Sequence, residues 1–237
     1  MSFNHMSFNR ISFNVHAWLL IGGVLLLQSC ALAANLAPRS DDKADDADVA
    51  RGVAAYEARD YNAALAAFNK AAERNSAVAQ FNFAVMLIGG QGGAADPSRG
   101  VAWLKRAADA GMPRAQHSLA VFLERGEHMP KSLPDAFALY RKAAEQGWPD
   151  AQMSVATMYF IGRGVARDYG LAAHWYERAA IVGSEGAAYI LASLYENGDG
   201  VARDPARALY WYTQAAAIGD PAARIKMREV ADRMKAR

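Results

Sequence analysis

Beyond an apolar leader, the side chains that could move a proton near neutrality are His117, His128 and His174, which lie far apart in the chain. A zinc hydrolase would show H-E-x-x-H, two histidines one helical turn apart around a glutamate, and no such run occurs. The G-x-S-x-G elbow that exposes a serine nucleophile is also missing. Cys30 is the single cysteine, so it has neither an internal disulfide partner nor a cysteine metal cluster to join. The glycine-rich stretch Gly89 to Pro97 lacks the preceding strand and the Lys-Ser/Thr of a phosphate-binding loop. Asp168 and Asp204 stand where helices are expected to begin, which suits a cap better than an acid–base pair. These residues point away from an enzyme and from any cofactor or metal. The chemistry that remains is recognition.

The recognition residues emerge from internal comparison. Alanine stands at Ala79, Ala115, Ala151, Ala187 and Ala223, in steps of 36. Positions two, six and nine after that alanine vary from unit to unit and share one face at helical spacing. They are Phe81, Val85 and Ile88; His117, Val121 and Glu124; Met153, Thr157 and Phe160; Tyr189, Ser193 and Glu196. This face is expected to line a groove for a protein or peptide, apolar at the first unit and more polar at the fourth. For Phe81 and Phe160 the competing role is packing between units.

The elements that must position these residues follow from the same period. Glycine recurs at Gly90, Gly126, Gly162 and Gly198, and an alanine pair at Ala107-Ala108, Ala143-Ala144, Ala179-Ala180 and Ala215-Ala216. A fixed period in this range marks a stacked repeat array, each unit burying its apolar face against its neighbours. Each unit reads as two helices. In the third, Ala151, Val155, Ala156 and Tyr159 form one stripe, and Leu171, Ala172, Trp175, Tyr176 and Ala179 a second. Gly162 ends the first helix, Asp168 caps the second, and Pro205 fits the first helical position of its counterpart in the fourth unit. The expected organisation is a tetratricopeptide-like helix pair at 47–76, repeats at 77–112, 113–148, 149–184 and 185–219, and a basic capping helix at 220–237.

The unit A-x-x-x-[LV]-A-x-x-Y-x-x-G-x-G-V-A-R-D-x-x-x-A-x-x-W-Y-x-x-A-A-x-x-G, as it stands at 151–183 and 187–219, resembles the Sel-one-like repeat, a relative of the tetratricopeptide repeat. The resemblance implies an all-α, right-handed solenoid of stacked antiparallel helix pairs, with the first helices lining a concave face. It also implies an adaptor or scaffold role. One cysteine-rich branch of that family is associated with β-lactams, but its paired cysteines are absent here.

Residues 1–33 read as an export signal: Arg10, an apolar run of 11 from Ala17 to Leu27, then small residues. The run is shorter than the ~20 residues a membrane span needs. Two processing readings stay open, cleavage after Ala31-Leu32-Ala33 or lipidation of Cys30 within Leu27-Gln28-Ser29-Cys30, the latter giving the only expected membrane attachment. Residues 34–46 are polar and acidic and read as a disordered tether. The expected location is the periplasm or outer membrane of a bacterium. The net charge of +2 argues against a nucleic-acid partner. A second reading of function rests on the basic end, Arg224 to Arg237, meeting cell-wall peptidoglycan together with aromatic groove residues.

Overall fold

The computed structural model describes residues 42–236, so the leader, Cys30 and residues 34–41 lie outside the described residues. Among the described residues the chain forms eleven α-helices and no strand. The first is α1, Asp42–Glu57, which begins inside the stretch read as a tether and corrects that reading for residues 42–46. It is joined to the array by Asp48, a buried carboxylate paired with Arg51 at 2.8 Å, Lys70 at 3.3 Å and Arg74 at 2.6 Å. Two of these cations lie on or just past the next helix, which gives the polar composition of this end a reason to be helical.

The remaining helices alternate as first and second members of pairs. They are α2 (Tyr61–Glu73), α3 (Ala77–Gly89), α4 (Pro97–Asp109), α5 (Pro113–Arg125), α6 (Leu133–Glu145), α7 (Pro149–Ile161), α8 (Tyr169–Ile181), α9 (Glu185–Asn197), α10 (Pro205–Ile218) and α11 (Pro221–Lys235). Helices of 13 residues, the length shared by α2 to α9, are marginal alone in water, so packing must hold them. The main packing is between consecutive helices, α2 on α3, α3 on α4 and so on to α11, which is the one-dimensional contact pattern of a solenoid.

Local chemistry sets the helix ends. Asp60, Ser76, Asp96, Asp168, Ser184, Asp204 and Asp220 each accept from a backbone N–H of the first turn. Gly90, Gly126, Gly162 and Gly198 close the first helices in the left-handed region, where glycine has no Cβ to clash. The alanine columns explain how closely the helices approach. Ala79, Ala115, Ala151 and Ala187 are wholly buried, as are Ala84, Ala120, Ala156 and Ala192. Tyr140, Tyr176 and Tyr212 of the second helices fill the space that these small residues leave, with Trp175 and Trp211 beside them.

Candidate functional site: the variable face of the first helices

The variable positions sit on α3, α5, α7 and α9. All except Phe81 are half-buried. Phe81 is 2% exposed, with the Arg114 guanidinium 5.0 Å from its ring centroid, so it packs between units and does not line an open face. Ile88 lies against Gly100 of α4, and Met153 against Gly186 of α9. Phe160 rests on Tyr169 and Tyr176, with centroids 5.3 and 6.2 Å away. The sixth-position column, Val85, Val121, Thr157 and Ser193, carries the smaller side chains of this face and is half-buried throughout.

Beneath that column run the second-helix tyrosines, whose hydroxyls meet the variable residues. The Tyr140 hydroxyl donates to Glu124 at 2.8 Å, and Tyr212 donates to Glu196 at 2.8 Å. In the third repeat the ninth position is Phe160, and the Tyr176 hydroxyl turns to Thr157 at 3.2 Å. Each glutamate also takes an arginine from the following unit: Arg163, 2.8 Å from Glu124, and Arg233 of α11 on Glu196. The two clamps therefore tie a first helix to its own second helix and to the next unit. Burial pushes the Glu196 carboxyl up, but hydrogen bonds from Arg233 and Tyr212, with the charge of Lys226, outweigh it and hold the group below its ordinary value. Burial and the accepting glutamate both raise the Tyr140 and Tyr212 phenols, so these remain neutral donors.

His117 completes the second-repeat cluster, its ring 5.2 Å from that of Tyr140. Burial lowers its basicity, while Asp150 and Glu124 oppose that shift. His128 is elsewhere, in a loop against Phe122, and His174 is exposed beside Trp175, so the three histidines are not brought together. Among the described residues no group of His, Asp and Glu is arranged to hold a metal ion. The two aspartates read as caps, Asp168 and Asp204, do cap α8 and α10.

Sequence reasoning missed a glutamine column. Gln80, Gln116 and Gln152 are buried on the first helices, and each Nε2 donates to the last-turn carbonyl of the preceding second helix, Ala72, Ala108 and Ala144, at 3.2–3.3 Å. Each carbonyl also accepts a backbone N–H from the residue just past its helix, Asn75, Gly111 or Gly147, so the glutamine is a further donor. The signal was available, since the three glutamines stand 36 apart next to the constant alanine. At the far end, Arg228 of α11 is exposed where the four buried alanines of its column stand in the earlier units.

The Sel1 repeat model matches residues 77–112, 113–148, 149–184 and 186–220, well over half of the chain. Among solved structures, the chain is similar to a Sel1 repeat protein from Oxalobacter formigenes, with 30% identity and a TM-score of 0.71, over 75% of this chain and 73% of that one. It is also similar to a protective antigen of uropathogenic Escherichia coli strains that displays an SLR fold. There the identity is 28% and the TM-score 0.74, over 87% of this chain, which spans only 43% of the length of the E. coli protein. No curated protein matches the chain significantly. The repeat matches, the shared solenoid and the level of identity together place this chain in the Sel1 repeat family.

Proposed function

We propose that this protein is an exported, non-catalytic adaptor that binds a protein or peptide of the bacterial cell envelope along the face formed by its first helices. Sel1 repeat proteins are in general protein–protein interaction scaffolds, and the finer reading builds on that role. One observation carries it. The alanine columns that never change along the first helices are wholly buried, whereas the positions that do change, two, six and nine after the leading alanine, are all half-buried except Phe81 and lie along one line of helices. Variation at constant backbone geometry is how a repeat array sets partner specificity without disturbing its core. Export rests on the leader, with the lipid-anchored and soluble forms as its two versions.

The cell-wall reading draws less support. On α11, Lys226 pairs with Glu229 at 3.1 Å, Lys235 with Asp232 at 3.8 Å, and Arg233 with Glu196, so much of the basic charge is already matched. The test is capture from an envelope extract by the chain from residue 34 onward, beside a Val85→Lys, Val121→Lys variant. Lysine stems fit a half-buried site while placing charge on its surface, so the fold is retained. The reading predicts a protein retained by the parent chain and lost by the variant. Identical sets of retained proteins would rule out this face as the binding surface.

A further inference from the structure

At the C-terminal end of the first-helix face, a shallow recess is lined by Glu196, Arg203, Pro205, Val230, Arg233 and Met234. Its charges do not balance. Both carboxylate oxygens of Glu196 are engaged, Oε2 by the Tyr212 hydroxyl and Oε1 by Arg233. Arg203 uses Nε on the backbone carbonyl of Glu196 at 3.0 Å, and its guanidinium is exposed and forms no ion pair among the described residues. The recess thus holds two guanidiniums and one saturated carboxylate. Beside Arg203 the lining is apolar: Val230 forms a floor only 2% exposed, and Met234, 41% exposed, forms a rim.

We propose that this recess receives an acidic side chain of a protein partner, Asp or Glu, followed directly by an apolar residue. The carboxylate would sit on the terminal nitrogens of Arg203, because a guanidinium fork matches a carboxylate in a two-point contact that an ammonium cannot make. The apolar side chain would cover Met234 and Pro205. Charge complementarity favours an acidic partner over a basic one, and the apolar wall favours a peptide over a free anion. The third repeat does not repeat the arrangement: its matching arginine, Arg167, lies over Tyr169 with 5.6 Å to the ring centroid. The inference rests on the proposal that this face binds protein, and it names one contact of that binding.

The test is fluorescence anisotropy of the full chain with two labelled, C-terminally amidated peptides, Gly-Ser-Glu-Leu-Gly-Ser and its glutamine counterpart. The glutamate peptide should bind about fivefold more tightly at low salt, the range expected for a partly exposed ion pair. That preference should vanish in Arg203→Gln and shrink in about 0.5 M salt. Met234→Ser, at an exposed position, should weaken both peptides alike and keeps the test informative should Arg203→Gln fail to fold. Equal binding of the two peptides, unchanged by Arg203→Gln, would overturn the contact while leaving the rest of the face free to bind. Failure of both peptides to bind would overturn it as well, and envelope capture would then decide separately whether the face binds protein.

Discussion

At the scale of single residues, polar groups on this face are tied into contacts with neighbouring helices. His117 shows this best. It faces Tyr140 from α6, Glu124 on its own helix and Asp150 at the start of α7, and burial keeps its imidazole less basic than the ordinary value of 6.5. The unfolded chain therefore takes up the proton first as pH falls. Stability is fully present above pH 6.5 and is lost as pH drops from there toward the lowered folded value, with a slope of at most one proton. Urea midpoints measured between pH 7.5 and the acid side should fall for the parent chain, and His117→Gln should flatten that dependence. An unchanged slope in the variant would assign the pH dependence to other groups. The clamp on Glu196 adds a separate loss at lower pH, since a carboxyl held below its ordinary value contributes stability that disappears on protonation.

At the scale of elements, the loop between the helices of a unit must come very close to the preceding unit. Gly200 has φ of 69°, and a Cβ there would lie 2.3 Å from the Tyr169 carbonyl carbon. Gly200→Ala combines a left-handed alanine with a backbone collision, and should cost about 2 kcal/mol or more in denaturant titration. In the second repeat His128 occupies the same position at φ of 59° with its ring against Phe122, so the loop there has already adapted. His128→Gly should accordingly change stability by less than about 1 kcal/mol. A mild effect of Gly200→Ala would show that the close approach is not needed. Elements of this kind were legible in the sequence because their causes are local: Gly162, Asp168 and Pro205 each act within a turn of where they stand. The site was less legible. The tyrosine partners of Glu124 and Glu196 stand at one spacing, but their arginine partners come from differently spaced places, a loop residue for one and α11 for the other, so no column comparison pairs those. For Phe81 the sequence left groove and inter-unit packing open, and the structure shows packing, with Arg114 of the next unit over its ring.

At the scale of the whole molecule, one rule explains both the stability and the proposed use of the chain. The alanine columns of the first helices are buried in every unit, so the units stack in the same way; the half-buried positions two, six and nine change from unit to unit, Phe81 alone being buried. The ends break the rule. α1 is pinned by the three cations around Asp48, and α11 carries an exposed Arg228 in the column where the earlier units have buried alanine. The claim that function lies along the first-helix face is tested most directly by a photo-cross-linking residue placed in turn at position 121 on α5 and at exposed position 105 on α4, in cells that produce the protein. The account predicts a covalent adduct with one discrete protein from position 121 and none from position 105. The same adduct from position 105 alone, or equally from both, would contradict it.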